Sequence, residues 1–124
     1  GGEENLSLAL AKAKQQKISA SERSWEQLGL RLAPAVSSTV QQLQPRYHGG
    51  LLVQEVRFGS PASDKGIRPG DILVGLHIWE TVKPDNVSYI LDQIKSDQLE
   101  TVKFYILRGR DTLFGHLTSD TILR

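Results

Sequence analysis

The spacing of apolar residues changes period several times along the chain, and each period predicts an element. Val87, Ile90, Leu91 and Ile94 fall at i, i+3, i+4 and i+7, the core-facing stripe of a helix that opens at Pro84-Asp85-Asn86 and runs to about Lys95. Leu28, Leu30 and Leu32 alternate with Gln27, Gly29 and Arg31, which predicts a half-buried strand over Trp25 to Leu32, ended by Pro34. Val102, Phe104 and Ile106 alternate in the same way with Lys103 and Tyr105. Arg108-Gly109-Arg110-Asp111 then reads as a hairpin turn, with Leu113 to Thr118 as the returning strand. Two denser runs, Leu51-Leu52-Val53 with Val56 and Ile72-Leu73-Val74 with Leu76, predict strands in the middle of the chain. Val36, Val40 and Leu43 predict a turn or two of helix within residues 36–44, lying over the body of the fold. In residues 1–24 only Leu6, Leu10, Ala13 and Lys17 keep a helical spacing. That face is thin, so the segment is expected to be a flexible or weakly helical linker, or a connector helix that packs on a neighbouring domain.

Between the two central runs the punctuation is dense. Ser60 is placed to cap a short helix, with Pro61 at the first helical position, where a missing N–H costs nothing. Gly66 suits the left-handed residue that follows the last turn, and Pro69-Gly70-Asp71 forms a turn before the second run. Gly49-Gly50, Ser60-Pro61-Ala62, Gly66-Ile67 and Pro69-Gly70-Asp71, in this order, resemble the centre of a PDZ domain, most of all those of bacterial HtrA (DegP-like) proteases. The resemblance spans about Trp25 to Thr118. It implies a mainly β (α+β) fold: five or six strands in a partly open antiparallel barrel or sandwich capped by two helices. The domain would occupy 25–124 behind a linker at 1–24. One departure stands out, because His77-Ile78-Trp79-Glu80-Thr81-Val82 lacks the tight Asn-Gly or Asp-Gly turn usual there.

The resemblance also implies a function. PDZ domains bind peptides by strand addition in a groove between an edge strand and the longer helix, and a loop of pattern hydrophobic-Gly-hydrophobic holds the peptide's terminal carboxylate. Here that loop matches Gln27-Leu28-Gly29-Leu30; glycine lets the backbone approach closely, and several N–H donors can converge on the anion. Leu30 and Leu32 would continue as the receiving strand, with Arg31 facing the ligand, and Val87 and Leu91 would line the pocket for the last side chain. Val87 and Leu91 serve equally well as core, and Leu28-Gly29-Leu30 as a first strand with a glycine bulge. An apolar pocket predicts an apolar C-terminal residue in the ligand.

Composition narrows the alternatives. The 124 residues suffice for one domain, and 15 basic against 14 acidic residues leave a net charge of +1, with no field to attract nucleic acid or anionic membrane. Cysteine is absent, which excludes disulfides and thiol catalysis. No apolar run approaches the roughly 18 residues of a membrane span. Gly1-Gly2 reads as a cloning remnant on a fragment of a longer protein. No Gly-Asp-Ser-Gly-Gly or Gly-x-Ser-x-Gly occurs, and His48, His77 and His116 have no metal-ligand spacing, so no catalytic site, metal or cofactor is expected. By resemblance, the expected partners are C-terminal or extended protein segments and the protease domain of the parent chain, in the periplasm or cell envelope. Two other roles remain open. One is a structural, oligomerising or gating domain with an unused groove, which a helix from residues 33–48 over the groove would indicate. The other is the PDZ domain of another membrane-associated or processing protease, such as a site-2 or C-terminal processing peptidase.

Overall fold

The computed structural model describes residues 19–122. The stripe Leu6, Leu10, Ala13 and Lys17 therefore lies outside the described residues. The first element, α1 (Ala20–Arg23), is capped by Ser19, whose Oγ accepts the Glu22 N–H at 3.1 Å. It continues into one wider helical turn, Ser24–Leu28, closed by the Gly29 N–H donating to the Ser24 carbonyl at 2.9 Å. This corrects the expected strand over Trp25 to Leu32. Only Leu30–Pro34 is extended (β1), because Gly29, in the left-handed region at φ 85°, ends a helix rather than interrupting a strand.

The remaining elements are α2 (Ser37–Leu43), β2 (Leu51–Val56), α3 (Pro61–Asp64), β3 (Ile72–Leu76), β4 (Trp79–Glu80), α4 (Pro84–Ser96), β5 (Thr101–Arg108), β6 (Asp111–Thr118) and α5 (Ser119–Ile122). The strands form one six-stranded antiparallel sheet in the order β1-β2-β3-β5-β6, with β4 paired to β3. Residues Ser24–Leu28 also touch α5, so the two ends of the sheet approach each other through helices.

β3 is buried along its whole length. A central strand covered on both faces needs apolar residues at every position, which explains the continuous run in the sequence. One face meets α4, whose Val87, Ile90, Leu91 and Ile94 join Leu28, Leu30, Leu32, Leu51, Val53, Leu73, Leu76 and Ile106 in the main core. Burying each of these side chains contributes about 2 kcal/mol of transfer free energy. The other face carries a smaller cluster in which Val40 of α2 packs with Tyr47, Ile72, Val74 and Leu107. Helix α2 thus lies over the sheet, on the face away from α4.

The expected punctuation is realised. Ser60 Oγ accepts the Ser63 N–H at 3.1 Å ahead of Pro61, and Gly66 has φ 82°. The turn before β3 ends on Asp71, only 3% exposed, whose carboxylate takes two bonds from the Arg108 guanidinium at 2.9 and 2.8 Å and one from the Arg68 N–H at 2.8 Å. The pair raises the pKa of Arg108, mainly through the hydrogen bond to Asp71. At the atypical hairpin the tight turn is kept: Leu76 pairs with Trp79 around His77-Ile78, and His77 itself takes the left-handed conformation at φ 57°.

Candidate functional site

β1 is the outermost strand of the sheet, paired on one side with β2 and approached on the other by α4. The Arg57 N–H donates to the Gly29 carbonyl at 2.7 Å, so that carbonyl faces β2. Antiparallel pairing alternates, and the carbonyl of Leu30, opposite Val56, faces the free edge. It is the first acceptor that an added strand would meet.

The structure brings the sequence-designated residues together at this edge. Gln27, Leu28 and Gly29 end the helical segment, and Leu30, Arg31 and Leu32 begin β1, whose register shifts between Arg31 and Leu32. Gly29 is compelled twice over: its φ is 85°, and a Cβ there would lie 2.0 Å from that of Ser60. Across from β1, Val87 and Leu91 sit on α4. All four apolar walls are covered, with Leu30 at 1%, Leu32 at 7% and Val87 and Leu91 at 0% exposure. Arg31 is exposed, pairs with Glu55 at 3.1 Å and lies over the Trp25 ring at 4.9 Å. The Gln27 side-chain oxygen is buried without a hydrogen-bond partner among the described residues.

Sequence reasoning missed the residues that hold this end of the groove. Arg23 donates to the Ser88 hydroxyl at 2.8 Å and to its carbonyl at 3.3 Å, and pairs with Asp92 at 2.9 Å, all on α4. Ser24, buried, donates from its hydroxyl to the free-edge carbonyl of Leu30 at 2.9 Å. Arg57, at the end of β2, donates to the carbonyls of Trp25 and Glu26 at 3.2 and 3.0 Å, satisfying the last turn of the helical segment. The one available signal was Ser19 followed three residues later by Glu22, a helix-start pattern. Within residues 33–48, the segment expected to discriminate an open groove from a covered one, the helix α2 packs on the opposite face of the sheet and does not lie over β1 and α4.

Elsewhere, Arg46, Tyr47, Val74, His77, Trp79, Glu80 and Tyr105 line a cavity of about 520 Å³ beside the β3–β4 hairpin. His48 contacts Glu80 at 2.9 Å at the surface. Among the described residues no group of three or more His, Cys, Asp or Glu is placed to hold a metal ion. No helix among them is long and apolar enough to cross a membrane.

An edge strand beside a helix, entered through a left-handed glycine, is the architecture of a PDZ domain. The domain resembles the PDZ domains of HtrA-type serine proteases. The HtrA3 PDZ domain bound to the phage-derived ligand FGRWV shares 27% identity and a TM-score of 0.52 over 73% of this chain and 81% of that one. The HtrA-type protease AlgW with a decapeptide superposes with a TM-score of 0.53 at 17% identity, over 73% of this chain and 27% of that one. Among curated sequences, mouse serine protease HTRA4 is 28% identical over 101 residues, 77% of this chain and 20% of that protein. The chloroplastic membrane metalloprotease ARASP of Arabidopsis thaliana is 35% identical over 88 residues, 69% of this chain and 19% of that protein. The chain thus spans about a fifth of the curated relatives it matches. No family model matches it.

Proposed function

We propose that the domain recognises C-terminal or extended protein segments by strand addition to β1, as the substrate-recruiting or regulatory part of an HtrA-like serine protease. The observation that supports this most directly is the free edge of β1 facing α4, with the Leu30 carbonyl turned outward and the Gly29 turn at its head. In this reading Gln27, Leu28, Gly29 and Leu30 hold the terminal carboxylate, Leu30, Arg31 and Leu32 pair with the peptide, and Val87 and Leu91 receive its last side chain. Affinity is modest, because a few added residues bury far less than a standard protein–protein interface. The protease domain of the parent chain supplies the hydrolysis.

A second reading, a gating or structural domain that does not use its groove, draws on the covered walls at Leu30, Leu32, Val87 and Leu91. The similarity to ARASP extends the choice of parent to membrane-associated metalloproteases.

Both readings meet one experiment, a two-dimensional NMR titration of the labelled chain with the pentapeptide Phe-Gly-Arg-Trp-Val and its amidated twin. Shifts at residues 27–32 and 87–91 that vanish on amidation are expected from the recruiting module. A folded chain silent there at millimolar peptide favours the gate.

A further inference from the structure

Two consecutive residues bridge the two walls of the groove. Arg23 reaches α4, where Ser88 and Asp92 lie one turn apart, through bonds of 2.8, 3.3 and 2.9 Å. Ser24 reaches β1, where its hydroxyl occupies the Leu30 carbonyl at 2.9 Å. An added strand needs that carbonyl as an acceptor, and the Ser24 hydroxyl competes with it for the oxygen's lone pairs and for the space beside it. The Gly29 N–H, at the place where a carboxylate would be held, is likewise taken by the Ser24 carbonyl at 2.9 Å. The segment that makes these contacts is short, the four α-helical residues Ala20–Arg23 and Ser24, and it is held to the body of the fold through the side chains of Arg23 and Ser24. A piece of this size opens at a fraction of the free energy of global unfolding.

We propose that residues 19–24 are a self-latch, an internal competitor that closes the peptide groove through Arg23 and Ser24 and is displaced when a peptide binds. This rests on the peptide-binding reading above and adds its regulation. The apparent affinity of the groove is its intrinsic affinity reduced by the fraction of molecules with the latch open. Anything that draws residues 19–24 away, including tension or docking along the chain that precedes them, raises affinity without touching the groove.

The test uses the whole chain and three variants: Arg23→Ala, Ser24→Ala and Asp92→Asn. Asp92 is a surface residue with its side chain 64% exposed, so the last variant weakens the latch without a risk to folding. Two quantities are read: Kd for Phe-Gly-Arg-Trp-Val, and amide hydrogen exchange at Gly29 without peptide. Each lost interaction should open the latch about three- to tenfold more often, which raises Gly29 exchange and tightens peptide binding by the same factor. Equal or weaker peptide binding by variants whose Gly29 exchange has risen overturns the latch alone. Unchanged exchange in all three variants also overturns it, since Arg23 and Ser24 then hold nothing closed. If no variant binds peptide although exchange has risen, the peptide-binding reading falls, and the latch as its regulator falls with it.

Discussion

A Cβ at Gly29 would stand 2.0 Å from the Cβ of Ser60, itself fully buried as the cap of α3. Two stretches that are separate in sequence, the loop at the head of β1 and the Ser60-Pro61-Ala62 turn, are therefore packed backbone against side chain. Gly29 also holds φ 85°, a region that costs other L-residues about 1 kcal/mol or more. Gly29→Ala combines strain with overlap, and is expected to destabilise the domain by about 3 kcal/mol. Urea unfolding of the variant, read at its midpoint, checks this; a loss under about 1 kcal/mol would show that Ser60 yields easily.

Asp71 and Arg108 make the second long-range pairing. The carboxylate is 3% exposed and accepts three hydrogen bonds, all of which Asp71→Ala removes. The Arg68 N–H loses its acceptor, while the guanidinium, part-exposed, keeps its bond to the Gly66 carbonyl. The thermal midpoint of Asp71→Ala should fall by many degrees, and that of Asp71→Asn by less.

Leu91 and Phe58 form a contrast in one residue class. Leu91 is fully buried, whereas Phe58 is 98% exposed at the tip after β2. Leu91→Ala should cost about 2–5 kcal/mol, and Phe58→Ser should stay within about 0.5 kcal/mol of the parent. Chemical denaturation of the two variants side by side separates a core contribution at Leu91 from a groove-only one.

His77 carries φ 57° in a two-residue hairpin turn where asparagine is better tolerated. His77→Asn is expected to raise stability by about 0.5 kcal/mol. A drop instead would show that the ring contact with Trp79, at a centroid distance of 5.5 Å, outweighs the strain.

Much of this protein is written locally. The Ser60-Pro61 cap, Gly66, the Pro69-Gly70-Asp71 turn, the Arg108 to Asp111 hairpin and the stripe of α4 each depend on residues within a turn of one another. Short-range sterics and a single hydrophobic period therefore suffice to place them. The unbroken run of β3 likewise announced a strand, and its burial on both faces followed from the packing around it. Tertiary structure decided the rest. Leu28, Leu30 and Leu32 fit a strand period, yet residues 24–28 are helical because Arg57 and the free-edge carbonyl of Leu30 satisfy that turn from outside. Those partners lie far away in sequence or belong to the next element, and no periodicity encodes them. The hairpin at His77 closed without glycine because the flanking pairs Gly75–Glu80 and Leu76–Trp79 impose the turn. Sequence thus determined a PDZ-like fold. The side-chain bonds by which Arg23 and Ser24 join α4 to β1 exist only once those elements are assembled.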